Sequence, residues 1–387
     1  MFRYVKMVAP SVLGLTVLSG VVTGVQAKPK NYVLNRPIVA RPIVIGHRGA
    51  SGYRPEHTLA SYELAIQLGA DFVEPDLVST KDHMLVARHE NEISGTTDVA
   101  AHPEFANRFA TKIIDGVSIK GWFTEDFTLA ELKTLRAKER IPQLRPANTA
   151  YNGLYQVPTL QEVIDLVKRK NLELSKTRTK RRIGIYPETK HPTYFDSIGL
   201  SLEEPLVQTL EQNGYLNKNA LVFIQSFEVS NLKDLSRMTR LPLIQLFGDS
   251  GQPYDFVVKG DPRTYLDLTR PTALAEIATY ADGIGPSKTL IVPRDAQNRL
   301  LAPTSLINDA HAQGLLVHPY TFRAENYFLS EEFRRGNPAD TTYLLQYGDM
   351  AGEAALFYSL GVDGLFSDQA DIALMGRQRA FPRFSFF

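Results

Sequence analysis

Eight short runs rich in apolar and β-branched residues, with helical stretches between them, constrain the fold more than any other feature of this chain. They fall at 43–47, 71–77, 183–188, 221–225, 243–247, 282–285, 315–319 and 364–367. Runs such as Ile43-Val44-Ile45 and Leu221-Val222-Phe223-Ile224 are apolar throughout, as strands buried on both faces must be. Between the first two runs, Leu59, Tyr62, Ala65 and Leu68 recur at helical spacing ahead of a stop at Gly69. Further helices are expected over 160–170, 202–213, 229–238, 272–280, 304–313 and 350–360. Short buried strands alternating with helices call for crossovers and a parallel sheet. Eight of them suit an α/β fold of the TIM (β/α)8 barrel type; an open doubly wound sheet is the architecture that competes. Residues 84–88 read as one additional strand.

Two stretches break the alternation. Residues 92–155 carry few strand signals and many loop formers, so they read as a large insertion after the second strand. Residues 322–347 form a second excursion rich in Arg, Glu, Asn and Tyr. Long loops that follow barrel strands lie on the catalytic face. Lys168 to Arg182 holds eight basic residues in fifteen and reads as a solvated loop.

The beginning of the chain is different. Arg3 and Lys6 precede an uncharged apolar run from Met7 to Val25, and Val25-Gln26-Ala27 puts small residues where a processing enzyme cuts. Residues 1–27 therefore read as a signal peptide, 28–41 as a linker and 42–387 as the barrel domain, exported to a periplasm or secreted. Pro10, Gly14, Gly20 and Gly24 make the leader a poor permanent anchor, and no later stretch approaches the roughly 18 apolar residues of a membrane span. The chain has no cysteine, which excludes disulfides, thiolate metal sites and a cysteine nucleophile. Of 43 Lys and Arg, two lie in the leader, so the rest nearly balances the 42 Asp and Glu and nothing favours a nucleic-acid partner.

The densest chemistry lies between Gly46 and Glu90. His47 ends one strand and His89 another, and between them stands Glu74-Pro75-Asp76. Residues i and i+2 of a strand face one side, so Glu74 and Asp76 converge. Converging carboxylates repel unless a cation or proton lies between them, and oxygen ligands suit Ca2+ or Mg2+. Pro75, which donates no ladder hydrogen bond, argues for a strand end there. Glu188 ends a third strand, with Lys190 on its side to balance a phosphate oxygen. The plain alternative makes each of these an ordinary salt-bridged carboxylate. Histidines suit proton transfer near neutral pH, and Arg48 offers a fork of donors to phosphoryl oxygens. His83, His102, His191 and His311 read as structural, His57 and His318 as lining residues.

At these residues the chain resembles the glycerophosphodiester phosphodiesterase family, particularly its periplasmic, calcium-using bacterial members. The resemblance is carried by Ile45-Gly46-His47-Arg48-Gly49-Ala50, Pro55-Glu56-His57-Thr58, Gly69 to Leu77, Thr80-Lys81-Asp82 and Arg88-His89-Glu90. It continues through Val157-Pro158-Thr159-Leu160, Pro187-Glu188-Thr189-Lys190, Gln225-Ser226-Phe227 and Gly361-Val362-Asp363-Gly364, in the family's order. It implies a TIM barrel with the 92–155 segment as the family's insertion, and His47 and His89 as general acid and base. It also implies Glu74, Asp76 and Glu188 as ligands of a divalent metal, calcium favoured over magnesium, and Arg48 and Lys190 as phosphate binders. The implied substrate is a small glycerophosphodiester, hydrolysed to glycerol 3-phosphate and an alcohol through a cyclic phosphate. Three positions depart from the family's pattern: His57 stands where Asn is usual, Glu90 where Asp is usual, and Ser367-Asp368-Gln369-Ala370 where Thr-Asp-x-Pro is usual. Two other functions fit a barrel with these motifs. One is a phosphodiesterase of intact phospholipids, which would use an apolar rim such as Tyr327-Phe328-Leu329 or Phe381 to Phe387; the other is a binding protein without chemistry.

Overall fold

The computed structural model describes residues 41–178 and 180–382. The leader read at 1–27 and nearly all of the linker lie outside the described residues, as does the tail from 383. Strand Ile43–Gly46 pairs in parallel with Gly364–Ser367 on one side and Phe72–Val73 on the other. Phe72–Val73 pairs with Gly184–Ile185, and Ile185 bridges to Val222. The order then runs through Ile224–Ser226, Leu243–Phe247, Gly283–Pro286 and Leu316–Val317. The ring closes where Phe322 bridges to Ser367 and the Asp363 amide donates to the Val317 carbonyl at 2.9 Å. All eight expected strands are present and parallel, in sequence order around a closed barrel. Closure excludes the open sheet.

Helices fill the crossovers, among them Leu59–Gln67, Leu160–Ser175, Glu203–Gln212, Val229–Met238, Pro271–Ile277, Leu306–Ala312 and Met350–Leu360. Local chemistry sets where they begin. Thr58 accepts a hydrogen bond from the Ser61 amide, and Thr159 and Glu162 form a reciprocal capping box. The Pro158-Thr159-Leu160 motif is thus a helix start. A last helix, Ala370–Ala380, was not expected from the sequence, since its apolar residues run together at Ile372 to Met375 and mark no helical period.

Three expectations need correction. The 92–155 insertion contains an antiparallel hairpin, Ala110–Ile114 with Val117–Gly121. Its two-residue turn is Asp115-Gly116, both at positive φ (47° and 80°), the turn whose twist suits a hairpin. Lys112 and Thr111 break the hydrophobic run and hid the strand. The basic stretch is largely exposed but only its second half is loop: the first half lies in a helix that runs to Ser175, and Arg181 donates to the Ile66 and Ala70 carbonyls, both at 2.5 Å. The expected strand 71–77 is two strands: Phe72–Val73 ends just before Glu74-Pro75, as the proline suggested, but no loop follows. The chain resumes as Asp76–Ser79, paired in parallel with Glu188–Thr189 and antiparallel with Leu85–Ala87.

The core has two parts. The larger lies between strands and helices and takes Val44, Val73, Ile185, Val222 and Leu365. The smaller fills the barrel itself with Ile43, Ile45, Phe72, Tyr186, Phe223, Ile244 and Phe366. Tyr186 stacks on Phe223 and meets Phe366 edge-on, both with ring centroids 5.0 Å apart. Because strand side chains alternate, the next inward positions on these rows are His47, Glu74 with Asp76, Glu188 with Lys190, Gln225 and Asp368. The barrel therefore carries an apolar plug below and a polar layer at the carboxyl ends of its strands, where TIM barrels perform chemistry.

Candidate active site

Asp76 and Glu188 are register partners on adjacent strands, and Glu74 stands two residues before Asp76. All three are buried, and one oxygen from each lies within 4.8 Å of the others. Glu74 accepts from the Arg48 amide (3.0 Å) and from Gln225 (2.7 Å). Burial and the charges of Asp76 and Glu188 push the Glu74 carboxyl well above its usual range. Burial also works against ionisation of Asp76, but His57 and Arg48 outweigh it and hold that carboxyl low. Glu188 is pushed up to about 7 by burial, with Lys190 at 3.0 Å pulling the other way. Three acids gathered so closely cannot all ionise alone. Asp76 Oδ1 is buried and has no hydrogen-bond partner among the described residues. An all-oxygen donor set with an unused buried acceptor fits a hard divalent ion.

Two imidazoles flank this triad. His47 Nδ1 lies 2.5 Å from Asp368 Oδ1, and its Nε2 is 3.9 Å from Glu74. His89 Nδ1 lies 2.6 Å from Glu90, and its Nε2 is 3.4 Å from Lys190 Nζ. Each ring is thus held on one edge by a carboxylate. Burial, then Arg48, lowers the His47 pKa to about 4; burial, then Arg48 and Lys190, lowers that of His89 to about 3. Arg48, at φ 57°, donates to both oxygens of Glu56 at 3.2 and 3.0 Å and holds Nε 3.6 Å from Asp76. A cavity of about 400 Å3 opens over His47, Arg48, the three acids and His89. Lys190 is buried beside Glu188 and is not among the residues that line the cavity.

The remaining histidines divide as follows. His57, buried and at φ 53°, reaches Asp76 through Nε2 (3.0 Å) and the Tyr62 hydroxyl through Nδ1 (2.7 Å). Positive φ is natural for Asn, and the histidine in its place gives the acid an added neighbour. His318 lies in the plug, 2.9 Å from the Tyr186 hydroxyl. His102 and His311 pair with carboxylates away from the cavity, and His83 is exposed. His191, read as structural, does form structural bonds, yet they lead to the site. Its Nε2 is 2.9 Å from Glu90, and its Nδ1 is 2.6 Å from Asp115 in the hairpin turn.

Sequence reasoning gave no role to Asp368, Arg145, Arg323 or Glu325. Asp368 binds His47 and is clasped by Arg145 (2.5 Å) and Arg323 (3.0 Å), while Arg145 Nε also reaches Glu325 at 2.6 Å. A signal existed for Asp368, the one residue shared with the family's Thr-Asp-x-Pro pattern. Tyr327 is exposed on the cavity rim, but Leu329 of the same expected rim is fully buried.

A mouth that gathers acids for a hard cation between two carboxylate-held imidazoles equips a TIM-barrel enzyme of phosphoryl chemistry. Comparison with known proteins makes this specific. The model of the glycerophosphoryl diester phosphodiesterase family matches residues 47–372. Glycerophosphodiester phosphodiesterase GDPD6 of Arabidopsis thaliana is 37% identical over 350 residues, 87% of this chain and 86% of its own. A glycerophosphodiester phosphodiesterase of Haemophilus influenzae is 30% identical over 81% of this chain and 87% of its own. Among solved structures, an Oleispira antarctica phosphodiesterase in complex with its product sn-glycerol-3-phosphate superposes with a TM-score of 0.52 at 20% identity. It covers 87% of this chain and 96% of that one. The chain belongs to the glycerophosphoryl diester phosphodiesterase family, and it is an enzyme that hydrolyses glycerophosphodiesters.

Proposed function

We propose that hydrolysis takes place at a divalent cation held by Glu74, Asp76 and Glu188, with His47 and His89 as general acid and base. One observation carries this reading: both imidazoles are fixed at Nδ1 by a carboxylate and border the same cavity that the three acids line. The bound ion would lower the pKa of the attacking hydroxyl and offset charge on the phosphoryl oxygens. The rest falls to side chains. A neutral imidazole accepts the proton of the attacking glycerol hydroxyl, and its carboxylate partner stabilises the imidazolium that forms. The other imidazole, its pKa raised by the bound phosphodiester anion, delivers a proton to the departing alcohol. Arg48 and Lys190 neutralise the phosphoryl oxygens. The resulting cyclic phosphate is opened by water to glycerol 3-phosphate.

His47→Ala and His89→Ala are each expected to lower kcat on glycerophosphocholine by at least ~100-fold, the scale of a positioned acid or base. Full turnover by both variants would refute the assignment. Calcium is the ion we favour, on the oxygen-only donor set and an extracytoplasmic setting; turnover restored to the chelated enzyme by magnesium but not calcium would reverse that choice. Export rests on the leader at 1–27. Fractionation followed by N-terminal sequencing checks it, with a mature protein starting near Lys28 as the expected result.

A further inference from the structure

Across the mouth from the three acids, the cavity has a wall of a different kind. It is built after the sixth and seventh barrel strands, whereas the acids belong to the second and third. Lys288 Nζ donates to both oxygens of Glu353 at 2.8 and 2.9 Å, and Arg294 reaches the same carboxylate at 3.0 Å. Arg323 and Arg145 in turn share Asp368, and Arg145 also takes Glu325. Lys288, Arg294 and Arg323 line the cavity and share two buried carboxylates, Glu353 and Asp368, the second of which Arg145 also takes, so the wall keeps a surplus positive charge; Glu332, which also acts on Arg294, is exposed. Arg323 hydrogen-bonds through Nε alone among the described residues. Its Nη atoms make no hydrogen bond there, and its guanidinium lies over the Phe328 ring at 4.6 Å on the cavity rim. Crowding is felt within the wall: burial, Arg294 and Arg323 all favour loss of the Lys288 proton, against the pull of Glu353. A site removed from water holds unmatched like charges at a cost that an arriving anion removes.

The lining of the cavity is therefore polarised, acidic at one side and cationic at the other. A phosphorus held beside Glu74, Asp76 and Glu188 leaves one arm of the diester to span the mouth toward Lys288, Arg294 and Arg323. Ser287 and Thr289, whose hydroxyls lie 2.8 Å apart on the same wall, add neutral donors. We propose that this wall is a subsite for a second anionic group on the alcohol arm, so that the preferred substrates are glycerophosphodiesters whose alcohol itself bears a phosphate. The inference rests on the proposed reading of the acidic side as the place where phosphorus is held.

Two esters with the same reacting arm test it. Glycerophosphoglycerol has a neutral alcohol; bis(glycerophospho)glycerol carries a second phosphodiester. For the native enzyme at low salt, kcat/KM is expected to be roughly tenfold higher for the second ester, after allowing for its two equivalent ends. Raising the salt concentration should erode that ratio. Arg294→Gln leaves Lys288 and Glu353 as a matched pair and removes the surplus charge, and it should collapse the ratio toward one. A native enzyme that hydrolyses both esters without preference overturns the subsite and leaves the phosphodiesterase reading standing. A ratio unchanged in Arg294→Gln, or an equal loss on both esters, also overturns it, the latter by placing the wall on the reacting phosphate. No hydrolysis of either ester overturns both.

Discussion

Glu90 is one carbon longer than the aspartate usual at its position, and the extra reach lets it touch two imidazoles, His89 at 2.6 Å and His191 at 2.9 Å. One carboxylate thereby fixes the proposed acid-base residue and ties it to a neighbour that carries charge. Glu90→Gln keeps the size but loses an acceptor and the charge. It should lower kcat by ~10- to 100-fold with KM little changed, since a mis-set imidazole costs turnover more than binding. Steady-state kinetics on glycerophosphocholine check this, and an unaltered kcat would contradict the role. His191 has a pH signature of its own. Burial favours its neutral form, but bonds to Asp115 and Glu90 prevail and raise its pKa from 6.5 to about 9. Its proton is held more tightly folded than unfolded. The stability it contributes is therefore complete below about pH 6.5 and lost as pH climbs through about 9. Thermal melts of native protein and His191→Gln should differ most below pH 6.5 and converge above pH 9. The acids of the site were legible because spacing along a strand decides which way side chains point. Asp368 was not, since it meets His47 across 321 residues of chain and no local period reports such a contact.

At the scale of elements, the barrel strands were readable because burial on both faces leaves nearly uninterrupted apolar runs. The insertion was not, because its hairpin has one face in solvent: Ile113 and Val117 are exposed and Lys112 faces the fold. Short helices such as Tyr254–Lys259 and Pro192–Ser197 are too brief to show a period. Yet the insertion supplies two parts of the site's support, Asp115 to His191 and Arg145 to Asp368. The hairpin's turn depends on Gly116 at φ 80°, where an added Cβ would meet only Tyr254 at 3.6 Å. Any cost of Gly116→Ala is therefore backbone strain, about 1–2 kcal/mol. Chemical denaturation should register that loss, and kcat should fall with it as Asp115 loosens its hold; a destabilised variant with native kcat would uncouple the hairpin from the site.

For the molecule as a whole, the acidic cluster is a liability until a cation arrives. Ions that bind the folded chain and not the unfolded one stabilise it by about 2.7 kcal/mol at a hundred times their dissociation constant. Chelated enzyme should therefore melt several degrees below calcium-loaded enzyme, and Glu188→Gln should shrink that gap while abolishing metal-dependent turnover. An equal melting temperature with and without the ion would argue against the site. The apolar plug has a further consequence. Tyr186, Phe223, Phe366 and their neighbours fill the barrel beneath the polar layer, so among the described residues no passage runs down through the barrel itself. Ester and glycerol phosphate would then share the mouth above the plug, and product inhibition competitive with the ester is the expected outcome in steady-state kinetics.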